Sequence, residues 1–192
     1  PDMKEVQRYL PKRRVPVHFF SATYPPQVQR VAREFMPNPE MLSLSHNQVH
    51  HIESIEHIFY AVKPMEKDRV LARIIELESP SSAIIFCNTR ANVHYITAVL
   101  KGFGYNADEL SSDLSQNLRE RVLSSMRRGE IRFLVATDVA GRGLDIPELS
   151  PVILYEPPED PESYIHRAGR TGRAGAVGTV ISLADVLQHM EL

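Results

Sequence analysis

Short apolar runs rich in β-branched residues alternate along this chain with segments whose apolar residues recur at helical spacing. The runs predict strands at Val17–Ala22, Met41–Leu44, His57–Val62, Ala83–Asn88, Phe133–Thr137, Val152–Glu156 and Thr179–Leu183. The segments between them predict helices at Gln27–Met36, Lys67–Glu78, Ala91–Gly102 and Ser115–Arg128. Near-continuous apolar strands that alternate with amphipathic helices are typical of a parallel sheet covered on both faces. The sequence therefore predicts an α/β fold of this kind.

A break in this alternation divides the chain. A Pro-Asn-Pro stretch at 37–39 and a polar segment over 46–56 separate a short first part from a longer second part. Residues 1–45 hold too few elements to bury a core of their own. Residues 46–192 have the strand count of a complete α/β domain. We therefore predict a small α/β piece over 1–45 and a complete domain over 46–192.

Composition restricts the partners only loosely. The chain has 192 residues, 43% of them hydrophobic and 24% charged, as in ordinary globular proteins. Its net charge of -2 produces no overall positive field, so any anion must bind at a local patch. The single Cys87 cannot form an internal disulfide, which favours a reducing, cytoplasmic location. Because no apolar run approaches the length of a membrane span, we expect no membrane partner.

Polar residues follow three of the predicted strands. They are Asn88-Thr89-Arg90, Thr137-Asp138 and Glu156. Parallel α/β sheets bind ligands beyond the carboxyl ends of their strands. We therefore expect the functional site at this edge of the sheet.

A segment over 164–175 that is rich in arginine and glycine is the strongest candidate for anion binding. Arg170 and Arg173 are three residues apart, so on a helical turn they would share a face. Guanidinium groups bind phosphate through paired donors, and glycines allow a ligand or another backbone to approach closely. A lone Arg-x-x-Arg is usually a solvated basic turn. The flanking His166, the repeated Gly-Arg and the motifs below favour phosphate binding.

Five segments, in this order and spacing, resemble the DEAD-box family of ATP-dependent RNA helicases, within helicase superfamily 2. They are Ser21-Ala22-Thr23 (motif III), Ile85–Arg90 (motif IV), Gln116–Arg119 (the Gln-x-x-Arg motif), Ala136–Ile146 (motif V) and His166–Arg173 (motif VI). DNA helicases of the superfamily commonly carry Gln at the start of motif VI, so His166 favours the RNA branch. The resemblance implies that residues 1–45 end a first RecA-like domain and that residues 46–192 form the second RecA-like domain.

The resemblance also implies a role for each matching position. Arg170 and Arg173 would be arginine fingers that contact the γ-phosphate of ATP. Nucleotide contacts are implied for Arg142, Gly143, Asp145, His166 and Arg167. RNA contacts are implied for Asn88, Thr89, Arg90, Gln116, Arg119 and Thr137. Coupling of ATP hydrolysis to strand separation is implied for Ser21 and Thr23.

Two of these assignments have a structural alternative. Arg167 could instead form a salt bridge with a neighbouring acid. Thr137 and Asp138 could be the capping residues of an ordinary turn. Of the departures from the family pattern, the one that affects the RNA contacts is Ser111-Ser112-Asp113, which stands where the family usually has His-Gly-Asp; Tyr24 and Glu156 also replace the usual Met and Asp.

Two elements of an ATP-hydrolysing site are missing from this sequence. It has no Gly-x-x-x-x-Gly-Lys-Ser/Thr phosphate loop and no Asp-Glu-Ala-Asp segment to hold Mg²⁺. In the family both lie in the first RecA-like domain. We therefore expect ATP with Mg²⁺ as the cofactor, held by that missing domain, and no ATPase activity from this chain alone. The cluster of His46, His50, His51 and His57 fits no zinc pattern, so we predict no metal site.

The predicted partners are RNA and the missing first domain. Residues 1–45 have lost the sheet to which they would belong, so we also predict a swapped or packed dimer through this segment. The intact protein would be an ATP-dependent RNA helicase. Two other functions stay open: a non-catalytic RNA-binding or interaction module with the same fold, and a superfamily 2 DNA helicase.

Overall fold

The computed structural model describes residues 5, 8–10, 16–20, 24, 26–36, 38–42, 55–138, 149–172 and 177–185. By its internal contacts the chain divides into two compact units, Pro1–Asn47 and Gln48–Leu192. The assignment of 1–45 and 46–192 to two successive helicase domains stays a prediction.

The first unit contains helix α1 at Pro26–Phe35. Ala32 of this helix is buried, and the ring of Phe19 packs edge-on against Phe35 with 5.7 Å between centroids. The predicted strand at Val17–Ala22 is wrong over its described part, because Pro16–Phe20 have no regular structure; residues 21 and 22 lie outside the described residues. A strand needs a neighbour for its hydrogen bonds, and the described part of this unit offers none. Met41 and Leu42 are also irregular, and residues 43 and 44 lie outside the described residues.

The second unit alternates strands and helices as the sequence predicts. Its strands are β1 Ile55–Ala61, β2 Ala83–Phe86, β3 Ala107–Leu110, β4 Phe133–Ala136, β5 Val152–Leu154 and β6 Gly178–Ala184. Its described helices are α2 Lys67–Glu78, α3 Arg90–Gly102, α4 Gln116–Arg127 and α5 Pro161–Ala168, and a 3-10 turn at Pro64–Glu66 precedes α2.

The six strands form one open sheet in the order β1-β6-β5-β2-β4-β3, and every pair is parallel. The fold predicted from the sequence is confirmed. Strand β2 lies between β4 and β5, so the carboxyl ends of these three strands are neighbours. This arrangement brings the polar residues that follow them to one edge.

The alternation of side chains along the strands gives the sheet two buried faces. In β2, Ala83 and Ile85 point to one face, where they pack with residues of α2 and α3. Ile84 and Phe86 point to the other, where they pack with residues of α4 and with Ala168 at the end of α5. Helices therefore cover both faces, as expected for strands that are apolar at every position.

Two elements of the second unit differ from the predicted pattern. Strand β3 has the sequence Ala-Asp-Glu-Leu, whose central acids disfavour a strand, and it lies at the edge of the sheet where these acids are only half-buried. Helix α5 has only eight residues and is followed by glycines, a pattern that resembles a turn more than a helix. No helix in the described ranges is long and apolar enough to cross a membrane.

Candidate functional site

Helix α5 brings Arg167 to the carboxyl ends of three neighbouring strands. Its Nε donates to Asp138 Oδ1 at 2.7 Å, and one terminal nitrogen donates to Asp138 Oδ2 at 2.6 Å and to Asn88 Oδ1 at 2.8 Å. The other terminal nitrogen donates to the carbonyl oxygen of Glu156 at 2.7 Å. The side chain is only 2% exposed, and its guanidinium lies 5.4 Å from the centre of the Phe86 ring. Arg167 therefore ties together the ends of β2, β4 and β5.

Glu156 adds a second set of bonds at this edge. One carboxylate oxygen accepts from the backbone N–H of Asn88 at 2.7 Å, and the other accepts from the side-chain amide of Asn92 at 2.7 Å. The side-chain amide of Asn88 donates to the carbonyl oxygen of Pro157 at 3.0 Å. Asn88, predicted to contact RNA, thus has both ends of its side chain bonded to the protein.

A buried lysine and two tyrosines extend this network. Lys67 donates to the carbonyl oxygen of Tyr155 at 3.2 Å, and burial lowers the pKa of its ammonium group. The hydroxyl of Tyr155 donates to Asp68 at 2.7 Å, and Tyr95 donates to the same carboxylate. Burial first, and then Asp68, raises the pKa of Tyr155. Burial also raises the pKa of Cys87, which makes it an unreactive core thiol.

The predicted RNA-contacting residues on α3 line a cavity of about 630 Å³ at the ends of β2 and β3. Thr89 begins α3 as its N-cap, because its hydroxyl accepts from the N–H of Asn92 at 3.1 Å. Arg90 forms an exposed ion pair with Asp113, another residue that lines the cavity. Nδ1 of the His94 ring donates to the carboxylate of Glu109, which also lines the cavity.

The other predicted RNA contacts lie on and beside α4. Arg119 donates to the carbonyl oxygen of Ser112 at 3.2 Å, and its buried Nε has no partner among the residues that the structure describes. Gln116 donates to Glu120 one turn along the helix at 3.0 Å. Thr137, which directly follows β4, is 7% exposed. Arg119 thus holds the segment in which this chain departs from the usual His-Gly-Asp.

The chain turns sharply after α5, where Arg170 lies. The N–H groups of Arg170 and Thr171 donate to the carbonyl oxygens of Arg167 and Ala168, both at 3.1 Å, and the carbonyl oxygen of Arg170 accepts from Leu149 at 3.3 Å. Gly172 has a φ of 68°, which no helical residue adopts. Arg173 lies outside the described residues, so the expectation that Arg170 and Arg173 share one face of a helical turn stays a prediction. His166 is half-buried in the last turn of α5.

Six predicted site residues lie outside the described residues. They are Ser21, Thr23, Arg142, Gly143, Asp145 and Arg173. Within the described ranges, no group of three or more His, Cys, Asp and Glu side chains is arranged to hold a metal ion.

The residues that organise this edge leave only partial signals in the sequence. Asp138 and Glu156 are recognisable as strand ends but not as the partners of Arg167, because pairing across 29 and 11 residues cannot be seen in a linear pattern. Lys67 and Asp68 resemble ordinary polar residues at a helix start. Their partner is Tyr155, which is 87 residues from Asp68: Lys67 donates to its carbonyl oxygen and Asp68 accepts from its hydroxyl.

Comparison with known proteins assigns this chain and its fold to a family. The helicase conserved C-terminal domain family matches residues 66–175. The solved chain in the structure of the E. coli DEAD-box protein SrmB bound to regulator of ribonuclease activity A is 33% identical, with a TM-score of 0.65 and coverage of 70% of this chain and 79% of that solved chain. The chain belongs to the DEAD-box helicase family.

Other family members extend the similarity along nearly the whole chain. ATP-dependent RNA helicase DbpA of Bacillus subtilis is 38% identical over 186 residues, which cover 97% of this chain and 38% of DbpA. The structure of S. cerevisiae Dbp5 bound to RNA and ADP BeF3 is 32% identical, with a TM-score of 0.83 and coverage of 97% of this chain and 49% of Dbp5. The chain thus spans well under two thirds of the length of such family members.

Proposed function

We propose that this chain is the C-terminal part of an ATP-dependent RNA helicase and completes an ATPase site whose phosphate loop and Mg²⁺-binding carboxylates lie in a preceding domain. Membership in the DEAD-box family supports the proposal, as do relatives that are themselves ATP-dependent RNA helicases. A cytoplasmic location and a dimer through residues 1–45 stay predictions.

The observation that carries the proposal is the position of Arg170, three residues after the buried Arg167. Hydrogen bonds to Arg167 and from Leu149 hold the backbone of Arg170 at both its N–H and its carbonyl oxygen. Arg167 in turn is bonded to three strand ends. A guanidinium on so constrained a backbone is suited to stabilise charge on a phosphate that another domain delivers. We assign this role to Arg170 and, from the motif, to Arg173.

A second part of the proposal concerns RNA. The cavity at the sheet edge carries hydroxyl donors and the cation Arg90, which is paired with Asp113, and its lining residues include no Phe, Tyr or Trp on which a base could stack. Such a surface suits a sugar–phosphate backbone and reads no bases. We propose that it binds RNA without sequence preference, together with Gln116, Arg119 and Thr137.

The proposal is tested by ATP hydrolysis by the full-length protein, with and without RNA. Because an arginine finger contributes about 10³–10⁵ in rate, Arg170→Ala should lower kcat by about a thousandfold or more and change RNA affinity little. Arg121→Ala, which replaces an exposed arginine of α4, is the matched control. The 192-residue chain alone should not hydrolyse ATP.

Three outcomes would count against it. Full activity of Arg170→Ala would remove the finger assignment. Stimulation by DNA equal to that by RNA would favour a superfamily 2 DNA helicase. RNA binding by a full-length protein with no ATPase activity would favour a passive RNA-binding module.

A further inference from the structure

Strand β6 begins at Gly178, and it begins against the turn that carries Arg170. A Cβ atom placed on Gly178 would lie 2.6 Å from the backbone nitrogen of Gly172 and 2.7 Å from both Cγ2 and Oγ1 of Thr171. Ordinary contacts of a Cβ atom start near 3.4 Å. The strand and the turn can therefore touch only because residue 178 has no side chain.

The atoms that face Gly178 have little freedom to move aside. Thr171 is fully buried, and its β-branched side chain has few rotamers. The third atom belongs to the backbone of Gly172, whose left-handed φ of 68° fixes the shape of the turn. A side chain at position 178 would thus have to displace backbone rather than a flexible side chain.

Such a displacement would reach Arg170 directly. Arg170 precedes Thr171, and Thr171 is bonded through its own N–H to Ala168. On the other side, the backbone of Arg170 is bonded to Arg167, which is fixed by the strand ends. The turn is therefore held between Arg167 at its beginning and Gly178 at its end.

The close approach at Gly178 is not a general property of the glycines in this domain. A Cβ atom added to Gly102, Gly104 or Gly129 would have no atom within 4 Å, and at Gly169 the nearest atom, a helical carbonyl oxygen, would be 3.2 Å away. Gly102 has no positive φ, so alanine fits there without strain. Gly102→Ala is therefore a matched control for a glycine-to-alanine change.

We propose that Gly178 is a positioning residue for ATP hydrolysis: its lack of a side chain lets β6 seat the Thr171–Gly172 turn, which sets the position of Arg170. This inference rests on the proposed arginine-finger function. Gly178 does not itself contact the nucleotide. It acts through the turn.

The test compares Gly178→Ala and Gly102→Ala in the full-length protein. A misplacement of a catalytic group by up to about 1 Å can reduce the rate about a hundredfold, so Gly178→Ala should lower kcat for RNA-stimulated ATP hydrolysis about tenfold to a hundredfold. KM for ATP and the Kd for RNA should change by less than about threefold, because the ground-state contacts remain. Gly102→Ala should match the wild type.

A second substitution separates crowding from other effects of the alanine. Thr171→Ala removes two of the three atoms that crowd position 178 but leaves the nitrogen of Gly172. Added to Gly178→Ala, it should restore kcat in part, by about threefold or more. Thermal unfolding of each variant, followed by circular dichroism, establishes that the assays are done on folded protein.

Each result decides the inference. A kcat of Gly178→Ala within about twofold of the wild type would overturn it. Loss of folding would also overturn it, since a shift confined to the turn leaves both faces of the sheet intact. So would a failure of Thr171→Ala to restore any of the kcat that Gly178→Ala loses. An inactive wild-type protein would instead reject the proposed function.

Discussion

Arg167 and Asp138 form a two-point ion pair, with Nε 2.7 Å from Oδ1 and a terminal nitrogen 2.6 Å from Oδ2. The arginine side chain is 2% exposed and the aspartate side chain 26%. Only a guanidinium presents two parallel donors in this geometry. The pair therefore joins the short helix α5 to the end of β4 in one orientation.

Arg167→Ala should destabilise the 192-residue chain by about 3–5 kcal/mol, because it leaves Asp138, Asn88 and the carbonyl oxygen of Glu156 without their buried donor. Arg167→Lys should recover less than half of this loss, since an ammonium group cannot make the two-point pair. Urea unfolding followed by circular dichroism measures both. Arg121→Ala should stay within about 0.5 kcal/mol of the wild type. A small effect of Arg167→Ala would mean that the pair is not needed to hold α5.

The N-caps of α5 and α4 should differ in strength. Asp160 accepts from the N–H of Ser163 at 2.8 Å, whereas Ser115 accepts from Leu118 at 3.4 Å. We expect Asp160→Ala to cost about 1–2 kcal/mol and Ser115→Ala about 0.5 kcal/mol or less in the free energy of unfolding. Equal costs would show that the length of the cap bond does not decide its contribution.

The cap at Asp160 should also depend on pH. The backbone N–H of Ser163 lowers the pKa of this carboxyl group in the folded chain. Its contribution to stability is therefore complete above the unfolded pKa of about 3.9 and is lost as the pH falls through the lower folded value. The difference between wild type and Asp160→Ala in urea unfolding should stay constant from neutral pH down to about pH 5 and narrow below it towards the acid limit of folding. A difference that also stays constant at lower pH would contradict this.

Cys87 should be unreactive in the folded chain. It is completely buried, and burial raises its thiol pKa. Reaction with a thiol reagent requires unfolding, which typically costs about 5 kcal/mol or more, so the folded chain should react at least about a thousandfold more slowly than the urea-unfolded chain. The absorbance of the thiolate that the reagent releases measures the rate at which Cys87 reacts. Fast labelling under native conditions would show a local opening at the end of β2.

Arg90 and Asp113 should affect RNA binding in opposite directions. Their ion pair is exposed, so breaking it costs at most about 1 kcal/mol. In the full-length protein, Asp113→Ala should release Arg90 from this pair and raise RNA affinity by up to about fivefold. Arg90→Ala should reduce the slope of log affinity against log salt by about 0.7, the value for one phosphate contact on a single strand. Fluorescence anisotropy with labelled RNA measures both, and an unchanged slope would place Arg90 away from RNA.

How much of the fold the sequence predicts depends on how local each signal is. The predicted bounds of α2, Lys67–Glu78, are confirmed, because Leu71, Ile74 and Ile75 mark its buried face. Strand β3 escapes prediction because its pairing with β4, and not its own composition, makes it a strand. In the first unit the opposite error occurs, since the apolar run at 17–20 has a strand-like composition but no described strand beside it.

The features of the candidate site also differ in how far the sequence predicts them. Residue types and motif order predict which strand ends meet, because parallel strands of one sheet end at the same edge. The turn at Arg170 is not predictable in this way, since it depends on the left-handed Gly172 and on contact with Gly178, which belongs to another element. Contacts of this kind are decided by packing between segments and leave no periodic pattern in the sequence.

The bonds of Arg167 reach residues that are 79, 29 and 11 positions away along the chain. Contacts between such distant positions form only after the intervening segments have closed into place, and closing these segments costs entropy before the contacts stabilise them. Each bond alone is too weak to offset that cost. The edge that carries Arg170 should therefore form late in folding and in a single step. A chain growing on the ribosome should not form this edge before β5 and α5 have both emerged.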